Sequence, residues 1–213
     1  MSTLAAEIAG KLLEIKAIKL QPNNPFTWAS GLKSPIYCDN RILLSYPKIR
    51  TQVIKALSEK SKAFEKFDVI AGVATAGIAH GALLADKLDK PFIYVRSKPK
   101  KHGMQNMIEG YLPPNARVLV IEDLISTGKS SMAACQALIE SGAEVIGVLA
   151  IFSYGFQVSK DIFTAQSIPM DTLSNYRNLI QEAYRTNYIS EEQKELLSKW
   201  SENPEAWADN LNK

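Results

Sequence analysis

The apolar residues of this chain fall into short β-branched runs that alternate with helically spaced ones. Val118-Leu119-Val120-Ile121 is an unbroken apolar run and predicts a buried strand. Phe67–Val73, Pro91–Val95 and Ala143–Ser153 read the same way. Between them, Pro47–Lys60 places Ile49, Val53, Ile54 and Leu57 on one helical face, and Ile78–Leu88 predicts a second helix. After Ser131, Ala134, Cys135, Leu138 and Ile139 recur at helical spacing up to a stop at Gly142. Met1–Leu20 predicts an amphipathic helix with Leu4, Ile8, Leu12 and Ile15 inward. Asp171–Leu179 and Ser190–Trp200 predict helices near the end, with Trp200 and Trp207 packing the tail down. Strands near 69–73, 91–95, 117–122 and 144–152, separated by helices, give an α/β fold: a mainly parallel, doubly wound sheet flanked by helices. In such sheets a ligand sits at the carboxyl ends of the strands.

Two stretches break the pattern. Gln21–Arg41 is rich in Pro, Gly, Asn and Ser with aromatics between them, and its centre, Ser30–Cys38, predicts a turn followed by a short strand. Arg96–Gly110 has no apolar periodicity and concentrates Arg96, Lys98, Lys100, Lys101 and His102. A charge run is ordinarily a solvated face. This one follows a strand in a near-neutral chain and is bounded by glycines, which suits a mobile cationic loop that closes over an anion and excludes water.

Composition narrows the function. With 213 residues, 46% of them hydrophobic, one domain with a sizeable core is expected. A net charge of +3 is too small for bulk nucleic-acid binding. The two cysteines, Cys38 and Cys135, form no C-x-x-C, and His80 and His102 are too few for a histidine zinc site. No signal peptide and no apolar run of membrane-spanning length is visible, so a cytoplasmic protein with neither nucleic-acid nor membrane partners is expected.

The chemistry concentrates in Arg117–Ser131, RVLVIEDLISTGKSS. The buried run leads into Glu122 and Asp123, then into small and hydroxylic residues and a helix start. Such a loop aims several backbone N–H groups at one point, and the helix dipole adds partial positive charge there. It suits a phosphate. Carboxylates repel phosphate, so Glu122 and Asp123 suit hydroxyl groups beside it; together they describe a ribose 5-phosphate. Thr127-Gly128-Lys129-Ser130 ends like a P-loop, but that pattern requires glycine where Asp123 stands. No G-x-G-x-x-G follows any strand. A second strand-loop-helix unit, Val73 into Ala74-Thr75-Ala76-Gly77, also presents small residues and N–H groups to an anion.

Val118–Ser130 resembles the phosphoribosyl-pyrophosphate (PRPP) motif of the type I phosphoribosyltransferases. Phe26-Thr27, Ser30-Gly31 and Ser34-Pro35 resemble the N-terminal hood of the orotate phosphoribosyltransferases. Arg96, Lys100, His102 and Gly103 match that family's flexible loop. The resemblance extends through about Phe156. It implies a type I phosphoribosyltransferase fold spanning 1–213: a small hood largely from 1–45, a core at about 46–170 and a helical tail at 171–213. It implies transfer of the phosphoribosyl group from PRPP to orotate, giving orotidine 5′-phosphate and pyrophosphate in pyrimidine (UMP) synthesis. Carried over residue by residue, it implies PRPP binding by Arg96, Lys100, His102, Glu122, Asp123, Leu124, Ile125, Ser126, Thr127, Gly128, Lys129 and Ser130, a pyrophosphate loop at Ala74, Thr75, Ala76 and Gly77, and orotate binding by Ser126. Lys100, His102 and Asp123 are the implied catalytic residues. Mg2+ is the implied cofactor, held through PRPP with no direct protein ligand. A homodimer is implied, its cationic loop acting in trans in the partner's site. Four positions depart from the family pattern: Ala29 and Ala76 stand where many members have lysine, Ser97 stands where the family often has lysine, with Lys98 next along, and no arginine lies near Tyr154.

Overall fold

The computed structural model describes residues 3–28, 31–98, 107–204 and 206–207. Its centre is a six-stranded sheet. In chain order the strands of the molecule are β1 Ile18–Leu20, β2 Phe26–Thr27, β3 Lys33–Ser34, β4 Ile36–Cys38, β5 Val69–Val73, β6 Phe92–Val95, β7 Ile108–Glu109, β8 Arg117–Ile125, β9 Glu144–Ser153 and β10 Met170–Asn175. The helices are α1 Leu4–Glu14, α2 Pro47–Ser61, α3 Ala76–Leu88, α4 Lys129–Glu140, α5 Gln157–Ala165, α6 Tyr176–Arg185 and α7 Glu191–Glu202, with a 3-10 segment at Asn40–Ser45. The sheet order is β10-β9-β8-β5-β6-β7, parallel except where β7 pairs antiparallel with β6.

The buried strands explain the apolar runs. Leu119, Ile121, Leu149 and Ile151 enter one core with α1, α2 and α6, while Val118, Val120, Val148 and Ala150 enter a second with Ala134, Cys135 and Leu138 of α4 and Phe163 of α5. Both sheet faces are therefore covered, as a parallel sheet requires. The chain leaves β5 toward β6 on one side and later returns to place β8 on its other side. The switch point of the winding therefore lies between β5 and β8, where a ligand crevice belongs.

Four expectations need correction. The first helix ends at Glu14, and Leu4 is 43% exposed rather than inward. Lys16 takes a positive φ of 58°, and Ile18-Lys19-Leu20 then alternates as a strand paired antiparallel with β4. Asp171–Asn175 is strand, not helix; its Asp, Thr, Ser and Asn residues hide β10 at the sheet edge, where one side of the strand needs no apolar partner. Helix α5 stands where the pattern of apolar positions predicts no element. Strand β8 runs on to Ile125 beside β9, so Leu124 and Ile125 are strand residues and the loop proper is Ser126–Gly128.

The hood lies against the rest of the molecule through aromatic rings. Trp28 stacks on Tyr154 at 5.3 Å between centroids, Tyr154 on Phe156 at 5.4 Å, and Trp200 of α7 meets all three edge-on. Trp200 is fully buried and also touches Tyr176, whose hydroxyl donates to the Leu197 carbonyl at 2.8 Å. The tail thus braces the hood from below. Trp200→Ala should cost about 3–5 kcal/mol of unfolding free energy, the usual loss for a buried aromatic. Trp200→Phe should cost less. Urea unfolding of both variants checks this; a tail that contributes nothing would leave the alanine variant at wild-type stability.

Candidate active site

The crevice between β5 and β8 is built by close approach. A Cβ on Gly77 would stand 2.6 Å from the Ile121 carbonyl oxygen, so only glycine lets the first turn of α3 lie against β8. Because β5 and β8 are parallel neighbours, α3 and α4 both start at the same carboxyl edge of the sheet, one on each face. Neither α3, beginning after Thr75, nor α4, beginning after Gly128, has a side-chain cap, whereas Thr3, Asn175 and Ser190 cap α1, α6 and α7. First-turn N–H groups of α3 and α4 are left for another acceptor. Gly128 takes φ 80°, which turns the chain from β8 into α4. Thr127, Lys129 and Ser130 are exposed at this turn and Ser126 is half-buried, while Ala74, Thr75 and Ala76 are open on the opposite side. The Ala74–Thr75 peptide is cis.

The acid pair divides into two environments. Glu122 is 4% exposed; its carboxylate accepts from the Ser131 hydroxyl at 3.0 Å and from the Asp123 N–H at 3.1 Å. Burial, then the neighbouring Asp123 charge, pushes its pKa well above the ordinary carboxylate value. Asp123 is half-buried, and its pKa is raised by burial. Its carbonyl accepts from the buried Asn40 amide at 2.7 Å, which fastens the start of the 3-10 segment to the end of β8. His80 of α3 lies beside Asn40, fully buried; burial pushes its pKa down to about 4, so it is neutral and structural.

Over this floor the hood closes a cavity of about 260 Å³ lined by Thr27, Trp28, Tyr37, Cys38, Leu124, Ser126 and Tyr154. The wall is mostly aromatic and apolar, with the Ser126 side on the loop. It suits a flat ring laid next to the α4 N-terminus. Of these, the sequence points to Leu124 and Ser126 alone as site residues. Thr27, Trp28, Tyr37 and Cys38 are legible only as part of the hood, and Tyr154 only as a residue of the loop after β9, because the rings that meet Tyr154 come from widely separated segments. Asn40 carries a weak signal of its own, as a polar residue between two apolar stretches, Ile36–Cys38 and Ile42–Leu44.

Arg96 follows β6, and its guanidinium pairs with Glu109 at 3.1 Å. Lys98 is exposed. Lys100, His102 and Gly103 lie outside the described residues, as do Ala29 and Ser30. Among the described residues no group of three or more His, Cys, Asp or Glu side chains could hold a metal ion, and no helix is long and apolar enough to cross a membrane.

The raised pKa of Glu122 has a consequence for stability. A carboxylate whose folded pKa lies above its unfolded value of about 4.3 favours the fold below that value, and the benefit is lost as pH rises toward the folded pKa. Glu122→Gln can keep the Ser131 and Asp123 hydrogen bonds without a charge. Its melting temperature relative to wild type should therefore rise between pH 5 and pH 8. Parallel pH profiles of the two melting temperatures would mean that Glu122 does not titrate with folding.

Comparison with known proteins gives the same placement. Residues 40–184 match the model of the phosphoribosyl transferase domain. The chain is 54% identical over 208 residues to the orotate phosphoribosyltransferase of Porphyromonas gingivalis, covering 97% of this chain and 99% of that protein. Among solved structures it is similar to the UMP synthase of Leishmania donovani, with TM-score 0.78 and 26% identity, over 92% of this chain and 42% of that longer one. It is also similar to the orotate phosphoribosyltransferase of Aeropyrum pernix, with TM-score 0.74 and 25% identity, over 86% of this chain and 99% of that one. With that identity over nearly the whole of both chains and the domain match across residues 40–184, the chain belongs to the orotate phosphoribosyltransferases.

Proposed function

We propose that this protein transfers the 5-phosphoribosyl group of PRPP to orotate, giving orotidine 5′-phosphate and pyrophosphate. The observation that carries this reading is the 260 Å³ hooded cavity that meets the α4 start at Ser126. A base seated there lies next to a sugar whose phosphate is held by backbone N–H groups of Ser126–Ser130. Leu124 and Ile125 support that loop from β8; Ile125 is buried, and its carbonyl is taken by the Tyr154 N–H at 3.0 Å. The pyrophosphate is received on the other side by Ala74, Thr75, Ala76 and Gly77.

Asp123 is the acid that faces the ribose hydroxyls. As the C1–pyrophosphate bond breaks, the sugar gains oxocarbenium character, and a carboxylate held beside it favours that charge. Glu122 supports Asp123 from below through their shared hydrogen bond. Its burial beside Asp123 raises its pKa and so disfavours a second negative charge in the floor. Arg96, Lys100 and His102 neutralise the departing pyrophosphate, His102 as a proton donor to it. We assign the loop to the partner subunit's site in a homodimer, and the protein to the cytoplasm. Mg2+ fits this donor set: a hard ion that keeps its waters needs PRPP oxygens and at most one carboxylate, and Asp123 is the acid available. When bound, it neutralises charge on the pyrophosphate.

The direct test is pyrophosphate release from PRPP with orotate, uracil, hypoxanthine or adenine offered separately, with and without Mg2+. Release with orotate alone, dependent on Mg2+, is expected; release with a purine alone would overturn the assignment of the hood. Asp123→Asn and Lys100→Ala should each lower kcat by on the order of a hundredfold, the scale of one preorganised electrostatic contact. Mixing the two inactive chains should restore activity if the loop acts in trans. A mixture as inactive as its parts would place the loop in its own subunit's site.

A further inference from the structure

Among the described residues no Lys, Arg or His lines the hooded cavity, whose wall is Thr27, Trp28, Tyr37, Cys38, Leu124, Ser126 and Tyr154. Orotate, the base assigned above, is a pyrimidine carrying a carboxylate. A carboxylate taken into an aromatic cavity without a positive partner would be strongly disfavoured. A positive group at the rim would offset that cost.

Two cations stand near that rim. Arg41 is already committed: Nε donates to Asp39 Oδ1 at 2.6 Å and Nη2 to Asp39 Oδ2 at 2.9 Å, a bidentate pair that uses the fork of the guanidinium. Lys33 is different. It sits directly across from Thr27 in the β2–β3 hairpin, and its Nζ donates to Thr27 Oγ1 at 2.8 Å. Thr27 belongs to the cavity wall. Among the described residues no carboxylate pairs with Lys33, and an ammonium has three donors, of which the threonine hydroxyl occupies one. The hairpin is held in place by Trp28, whose Nε1 donates to the Ile36 carbonyl at 3.0 Å and whose ring stacks directly on Tyr154. A cation on this hairpin is thus fixed relative to the base.

We infer that Lys33 is the residue that reads the carboxylate of the base, with Thr27 orienting its ammonium at the cavity rim. The inference rests on the proposed orotate activity. The hood then does more than cover the ring, because it also selects an anionic pyrimidine over a neutral one.

The test is steady-state kinetics of Lys33→Met and Lys33→Arg against wild type, with orotate and with uracil as base. In Lys33→Met the KM for orotate should rise roughly ten- to a hundredfold, the range for losing one hydrogen bond to a charged group. The KM for PRPP and the melting temperature should stay at wild-type values, and the preference for orotate over uracil should narrow by the same factor. Lys33→Arg, which keeps the charge, should recover most of the orotate KM. An unchanged orotate KM in Lys33→Met, with wild type active on orotate, overturns the role of Lys33 alone. Parallel losses for orotate, uracil and PRPP, or a fall in melting temperature that Lys33→Arg shares, would mean that Lys33 only braces the hairpin and would also overturn it. Wild type active with another base but not with orotate would overturn the assigned reaction as well as the inference.

Discussion

The site depends on how closely α3 lies on the sheet. Gly72 and Gly77 make this possible: a Cβ on Gly72 would fall 2.8 Å from the Gly77 carbonyl oxygen, and one on Gly77 would fall 2.6 Å from that of Ile121. A side chain at either position would push the helix away from β5 and β8. With the helix seated, its first turn opens at the carboxyl edge of β5, and that of α4 opens at the same edge from β8, where the winding of the sheet reverses. The same approach roofs Glu122 and removes it from water. One steric condition therefore sets both the anion-binding backbone and the protonation of the acid beneath it.

What the sequence reveals follows from the range of the interactions involved. The strands at the centre of the sheet are buried on both faces, so their apolar runs are continuous and unmistakable, and the loop after β8 follows directly from one of them. The edge strand β10 carries Asp171, Thr172, Ser174 and Asn175 and hence no apolar run at all. Strand β1 is concealed because Ile15 and Ile18 continue the helical spacing of α1; only the positive φ at Lys16 breaks it. The acid pair is legible as a motif, yet its division into a buried Glu122 and a half-open Asp123 depends on Ser131 and Gly77, which reach it only after folding. The cavity wall is least legible, since Trp28, Tyr37, Leu124 and Tyr154 come from four parts of the chain.

The hood is held from three directions. Asn40 donates to the Asp123 carbonyl, Trp28 stacks on Tyr154, and Trp200 closes the aromatic cluster from the tail. Movement of the hood would therefore be felt at the backbone of Asp123. That connection makes base binding and sugar positioning parts of one packed unit, with the tail helix α7 as its support rather than an appendage.

Charge is distributed to suit a reaction that places opposite signs close together. PRPP brings phosphates, and its bond cleavage creates a cationic sugar between them. Fixed cations in the floor would hold the phosphates but oppose the sugar; fixed carboxylates would do the reverse. In the proposed reaction, the floor supplies helix-start dipoles for phosphate, without a full charge, and a single half-buried Asp123 for the sugar. Burial of the neighbouring Glu122 disfavours its charged form. Arg96 after β6 and Lys33 in the hood hairpin carry full positive charges at the edges. Each is attached to an element that borders the site without forming its floor, so it can face an anion at the periphery and remain away from the carbon that becomes positive.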